Sequence, residues 1–207
     1  MLDLNVFSKE VHENAHAHGW WEQDRSKGEI LALIHSEISE ALEEYRAARP
    51  MVWYECKEMH NRCDCIPDCY TKKVGEDPKP CEYRNPKPEG IAVELIDCCI
   101  RILDFQGAAS VEITSGANVD GLIKTTPDSL LALCEEKDFP EMIAILHALV
   151  SEALVLNDLE AAIKPLLSAQ AVIYAWVKRN GLDPEKLLIE KHEYNKSRPY
   201  KHGNKVC

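Results

Sequence analysis

Residues 31–45 read Leu31-Ala-Leu-Ile-His-Ser-Glu-Ile-Ser-Glu-Ala-Leu-Glu-Glu-Tyr45, and this stretch decides the fold. Its apolar residues recur at steps of three and four, which is the period of an amphipathic helix with one face in a core. Beside that face Glu37, Glu40 and Glu44 share one helical surface, where like charges repel one another unless a cation joins them. The stretch therefore predicts a core helix with an acidic edge.

A second stretch repeats this arrangement further along the chain. It reads Gly90-Ile-Ala-Val-Glu-Leu-Ile-Asp-Cys-Cys-Ile-Arg-Ile-Leu-Asp104, with apolar residues again at helical spacing. Glu94 and Asp97 lie three residues apart, as Glu37 and Glu40 do in the first stretch. The chain thus carries two short acidic pairs on two predicted core helices.

These two acidic pairs are the candidate metal ligands. Antiparallel packing of the two helices would bring four carboxylates together: Glu37, Glu40, Glu94 and Asp97. Hard oxygen ligands suit Mg²⁺ or Mn²⁺, and either Glu37 or Glu40 would also be the catalytic residue that orients or deprotonates a water. The alternative is that each pair lies on an ordinary solvated helix face.

Strand-like alternation is nearly absent from the rest of the chain, so we predict an all-α helical bundle. Its first three helices should cover about residues 3–17, 26–48 and 89–106, with Gly107 forming the last turn of the third. Gly181 should end the penultimate helix. Later helices should begin at capping side chains, which are Thr126, Asp138, Asp158 and Asp183.

Residues 50–89 are rich in proline and cysteine and predict an irregular insertion in this bundle. Five of the nine cysteines fall within it. A structural zinc ion would order such a loop, since zinc prefers four Cys or His ligands. The candidate zinc ligands are Cys56, Cys65, Cys69 and Cys81. Free thiols or redox pairing remain the alternatives.

An internal repeat is a further expectation. Residues 29–42 and 141–154 share an apolar pattern, with His147 at the position of His35 and Leu149 at the position of Glu37. We therefore interpret residues 108–180 as a degenerate second helical repeat, within one all-α domain that spans residues 1–207. Chance similarity between two amphipathic helices is the alternative.

Charge and hydropathy exclude several classes of protein. A formal charge of −11 argues against binding to nucleic acid, which requires a cationic surface. No apolar run approaches the roughly 20 residues of a membrane helix, and the first residues do not have the pattern of a secretion signal. We expect a soluble cytoplasmic protein, and an exposed apolar helix face would favour a homodimer.

The acidic pairs and two further blocks resemble the MazG-like all-α nucleoside triphosphate pyrophosphohydrolases. Glu37-x-x-Glu40 followed by Glu94-x-x-Asp97 is similar to the metal-binding signature of that family. Trp20-Trp21-x-x-x-Arg25 precedes the first pair, and Lys191-x-x-Tyr194-Asn195-x-x-Arg198-Pro199 resembles the segment that closes many members. The insertion and residues 108–180 depart from the short members of the family.

The resemblance implies a Mg²⁺-dependent (or Mn²⁺-dependent) hydrolase that converts a nucleoside triphosphate to the monophosphate and pyrophosphate. It implies a substrate-binding set that comprises Trp21, Arg25, Lys191, Tyr194, Asn195 and Arg198. Two other functions fit the same residues. One is a zinc-stabilised protein-interaction module without activity, and the other is a phosphohydrolase that acts on a phosphoribosyl nucleotide.

Overall fold

The computed structural model describes residues 1–55, 86–113 and 117–201 of the chain. These residues form eight helices and one two-stranded sheet, which confirms the all-α prediction. The candidate zinc ligands Cys56, Cys65, Cys69 and Cys81 lie outside the described residues. The elements are α1 (Leu4–Ala17), α2 (Lys27–Arg46), β1 (Trp53–Glu55), β2 (Lys87–Glu89), α3 (Ile91–Ala109), α4 (Val119–Thr125), α5 (Asp128–Glu136), α6 (Phe139–Val155), α7 (Leu159–Arg179) and α8 (Pro184–Lys196).

Helix α3 is the centre of the bundle. It contacts α1, α2, α7 and α8, and most of its residues are buried. Its sequence is apolar on nearly every side, which is the pattern of a helix that is surrounded by other helices. Leu95, Ile96 and Ile102 are completely buried. Polar groups on α3 are therefore held in a fixed, water-poor setting.

Three of the four predicted starts of the later helices are confirmed. Asp138, Asp158 and Asp183 each accept a hydrogen bond from a backbone N–H in the first turn of α6, α7 and α8. The prediction at Thr126 was wrong in its detail. Its hydroxyl donates to the carbonyl of Leu122 in α4, and α5 begins after Pro127 without a side-chain cap.

The predicted role of Gly107 was also wrong, since α3 continues through it to Ala109 and ends at Ser110 in the left-handed conformation. Gly107 instead allows a close approach of α3 to α1. A Cβ atom at this position would lie 2.5 Å from the carbonyl oxygen of Ser8 and 2.7 Å from Cβ of His12. Gly181, by contrast, follows α7 with a φ of +77°, as predicted.

The two ends of the predicted insertion are paired rather than irregular. Strands β1 and β2 are antiparallel, with Tyr54 opposite Pro88. Where this ladder meets the bundle, the N–H of Ala92 donates to Met51 O over 2.9 Å, so the end of α2 lies at the start of α3. At the other end, Trp21 ahead of α2 contacts Asp104 late in α3. The two helices therefore run antiparallel.

Helices α6 and α7 pack on each other and against α2 and α3 respectively. His35 and His147, which hold the same position in the two similar segments, meet in the α2–α6 contact. Their Nδ1 atoms are 2.7 Å apart and their rings are stacked with centroids 5.0 Å apart. Equivalent residues of two segments meet in this way where a twofold axis passes between them, although a duplication stays a prediction.

None of the described helices combines enough length with enough apolar character to cross a membrane.

We expect Gly107→Ala to lower the free energy of unfolding by about 1–3 kcal/mol, because an added methyl group would force α1 and α3 apart. Gly28→Ala in α2 is the matched control, since a Cβ there would meet only Leu154 Cδ1, at 3.8 Å, and the Ser26 hydroxyl, at 4.0 Å. The control should be neutral or stabilising by up to about 1 kcal/mol. Urea denaturation followed by circular dichroism measures both. Equal effects of the two substitutions would contradict the close approach at Gly107.

Candidate active site

Three of the predicted carboxylates converge where α2 faces α3. Glu37, Glu94 and Asp97 each offer an oxygen, and these three oxygens all lie within 4.8 Å of one another. Glu37 and Glu94 are only 6% and 4% exposed. Glu40 is exposed and lines the adjoining cleft outside this group of three. Oxygen donors at this spacing fit a hard divalent cation such as Mg²⁺ or Mn²⁺.

Two cations of the chain partly neutralise the carboxylates. Arg101, one turn after Asp97 on α3, donates through Nε to Glu37 Oε1. Lys191 from α8 lies 2.8 Å from Asp97 Oδ2 and donates to the carbonyl of Pro88 over 2.9 Å. Lys191 is 1% exposed, so it is an internal partner of Asp97. Arg101 and Lys191 therefore stabilise the negative charge that is buried at the site.

Glu94 has the most strongly perturbed carboxyl of the group. Burial raises the pKa of Glu94 to about 9, and the charge of Asp97 adds to this effect. Burial acts to raise the pKa of Glu89 as well, but hydrogen bonds with Glu94 and Lys87 hold the pKa of Glu89 below its ordinary value. A protonated Glu94 therefore donates to an ionised Glu89. Burial also raises the pKa of Glu37, against the effect of Arg101.

The carboxylates lie in the wall of a cleft that holds about 250 Å³ of open space. Side chains from α1, α2, α3, α8 and the segments next to them line it. Four of the lining residues are cationic, namely Lys87, Arg101, Arg25 and Arg198. Acidic and basic groups side by side suit a polyphosphate that binds together with a divalent cation.

The structure places the predicted substrate residues in two groups. Arg25, Asn195 and Arg198 line the cleft, whereas Trp21, Tyr194 and Lys191 are not among its lining residues. Helix α8 ends at Lys196, so Arg198 lies beyond it. The backbone carbonyl of Arg198 is instead 2.9 Å from a ring nitrogen of His18, which joins this segment to the end of α1.

Trp20 and Trp21 have different surroundings. The indole N–H of Trp21 donates to Asp104 Oδ1 over 2.9 Å, and its ring packs edge-on against His12. Trp20 lines the cleft, and the guanidinium of Arg25 lies 5.4 Å from its ring centroid. An aromatic surface for a base would therefore come from Trp20, while Trp21 holds Asp104 in place.

Sequence reasoning missed His192 as a cleft residue. This side chain is 1% exposed, and burial lowers its pKa to about 4. Within the described part of the chain neither of its ring nitrogens has a hydrogen-bond partner, and Asn195 Oδ1 has none either. Buried polar atoms without partners are rare, and these belong to residues that line the cleft, so they are available for hydrogen bonds with a ligand. The only available signal was its position beside Lys191 in the quoted block.

Comparison of the chain with protein-family models, with curated proteins and with solved structures found no match. The functional assignment of the cleft therefore depends on its geometry and on the residue patterns that predicted it.

We expect the affinity of the protein for Mn²⁺ to rise with pH toward pH 9, by at most about tenfold per unit, because Glu94 must lose one proton before it can bind a cation. Titrations followed by the electron paramagnetic resonance of free Mn²⁺ measure this affinity. Glu89→Gln should move the rise to lower pH, since the hydrogen bond and charge of Glu89 both raise the pKa of Glu94. An affinity that is independent of pH below 9 would contradict the protonated Glu94.

Proposed function

We propose that the protein is a Mg²⁺-dependent nucleoside triphosphate pyrophosphohydrolase that releases a nucleoside monophosphate and pyrophosphate. The observation that carries this proposal is the convergence of Glu37, Glu94 and Asp97 from two separate stretches of sequence. A purely structural protein would gain nothing from two helices that bury acidic side chains next to one another beside a cleft, because burial of like charges is unfavourable.

The donor set supports a magnesium ion rather than a softer metal. All three donors are carboxylate oxygens, and the described residues bring no cysteine or histidine into the group. When bound, the ion would neutralise charge on the phosphates and make a water molecule a better nucleophile. Glu37, Glu94 and Asp97 would hold it.

The remaining chemistry requires positioning more than covalent help. A water oxygen forms a bond to the α-phosphorus, the bond from that phosphorus to the bridging oxygen breaks, and pyrophosphate leaves with the electron pair. Glu40 is exposed at the cleft and is suited to accept the proton of the water. Arg25 and Arg198 line the cleft as partners for the phosphate oxygens.

Other residues support the carboxylates on one side of the cleft and are proposed to contact the nucleoside on the other. Lys191 bridges Asp97 and the carbonyl of Pro88, so it ties α3 to β2 and α8. Trp20 and the unpaired groups of His192 and Asn195 would contact the nucleoside. They supply an aromatic face and hydrogen-bonding groups, which is what a base and a sugar need.

The test is a panel of ribo- and deoxyribonucleoside triphosphates with Mg²⁺, in which pyrophosphate and orthophosphate release are followed separately. We expect pyrophosphate from the wild type. Loss of a residue that only supports a metal ligand typically costs about 10–100-fold. Glu37→Gln and Glu94→Gln should each reduce the rate by more than this.

Glu152→Gln is the matched control for these variants. Glu152 is an exposed residue of α6 at the position that Glu40 has in α2, so the same chemical change there should leave the rate unaltered. Release of orthophosphate, or turnover that persists after chelation of divalent cations, would refute the proposed reaction.

A further inference from the structure

Arg101 has an unusual position for a residue of the central helix. It belongs to α3, yet its side chain is 37% exposed and lines the cleft, whereas the side chain of its partner Glu37 is 8% exposed. Its Nε donates to Oε1 of Glu37, whose carboxylate belongs to the group of three that could hold a divalent cation. A guanidinium therefore occupies the place beside Glu37 that a metal ion would compete for.

Only part of the hydrogen-bonding capacity of Arg101 is used. The one hydrogen bond that its side chain makes to a described residue is the Nε contact with Glu37, which leaves Nη1 and Nη2 without an acceptor in that part of the chain. A guanidinium has five donors in a planar fork that matches two oxygens of a phosphate. Because the Arg101 side chain lines the cleft, Nη1 and Nη2 are available to a ligand there.

Lys191 provides an informative contrast. It also pairs with one of the three carboxylates, but it is 1% exposed and is fixed by the carbonyl of Pro88. It has no comparable route to the cleft, where it is not a lining residue. The two internal cations therefore differ, since one is locked in the core and the other lies at the border between the core and the ligand space.

A divalent cation and a guanidinium that both bind the Glu37 carboxylate would repel each other strongly at such short range. The repulsion would be removed if Arg101 left Glu37 for a new anionic partner. A triphosphate that enters together with the metal ion brings that partner. Arg101 would need only side-chain rotation, because its backbone belongs to a rigid helix.

We propose that Arg101 exchanges partners: it neutralises Glu37 while the cleft holds no ligand, and it pairs with the phosphates of a bound triphosphate when a divalent cation takes Glu37. This inference rests on the proposed function. Its consequence is that metal ion and triphosphate each favour binding of the other, beyond the direct contact between them. A coupling of this kind is typically about 5–150-fold in affinity.

The experiment measures Mn²⁺ binding by electron paramagnetic resonance, with and without a saturating nucleoside triphosphate analogue that carries an imido group between the α- and β-phosphates. In the absence of the analogue, Arg101→Gln should bind Mn²⁺ about three- to tenfold more tightly than the wild type, because a competing cation is gone. The analogue should increase the Mn²⁺ affinity of the wild type, and this increase should be at least about fivefold smaller in the variant.

Two further variants make these results specific. Arg101→Lys keeps a charge for Glu37 but lacks the fork, so its Mn²⁺ affinity without the analogue should stay near the wild-type value while the coupling is lost. Arg46→Gln removes the same charge from α2, where Arg46 pairs with Glu43 on the surface, and should change neither quantity. Arg101→Lys also answers the question if Arg101→Gln does not fold.

Each outcome bears on one of the two proposals. Partner exchange is supported if Arg101→Gln binds Mn²⁺ more tightly without the analogue and gains less Mn²⁺ affinity from the analogue. Weaker Mn²⁺ binding in both conditions, or full coupling in Arg101→Lys, would overturn it and leave a structural ion pair, with the proposed hydrolysis intact. A wild-type protein that binds neither Mn²⁺ nor the analogue would overturn the proposed function and this inference together.

Discussion

Burial of acidic groups beside the central helix is the constraint on which the structure depends. Glu37, Glu94 and Asp97 lie in a water-poor setting where an unpaired charge is very costly, and each has a different compensation. Arg101 pairs with Glu37, Lys191 pairs with Asp97, and Glu94 keeps its proton and donates to Glu89. Removal of one partner from such a buried pair typically costs about 3–5 kcal/mol. Fold and site are thus stabilised by the same contacts.

This dependence explains why parts of the chain far apart in sequence meet at α3. The carbonyl of Pro88 on β2 and the side chain of Asp97 both bind Lys191, so the strand pair is a support for the site. On the other side, Trp21 and His12 hold Asp104, and His18 reaches the backbone of Arg198. These links position the walls of the cleft around the carboxylates.

The sequence predicted the elements whose signal is local. Helical spacing located α1, α2 and α3 to within a few residues, and the paired acids on α2 and α3 identified the three residues that converge. The roles of Lys191 and Gly107 could not be predicted, because each depends on a neighbour from a distant segment. A glycine near a helix end is usually a terminator, so local rules favoured the wrong role for Gly107. A lysine in a polar-looking motif is usually exposed, so the same rules gave no sign that Lys191 is buried.

The second half of the chain differs from the first in a way that fits this constraint. Leu149 stands where Glu37 stands in the first half, and α6 and α7 bury almost only apolar side chains. Gln170 and Tyr174 are the main polar exceptions on α7, and Gln170 donates to the carbonyl of Cys99 in α3. A second acidic group would need its own internal cations and would weaken the contact with α3. An acid-free half instead adds apolar burial next to the helix that carries the charged site, and so offsets the instability that a functional site introduces.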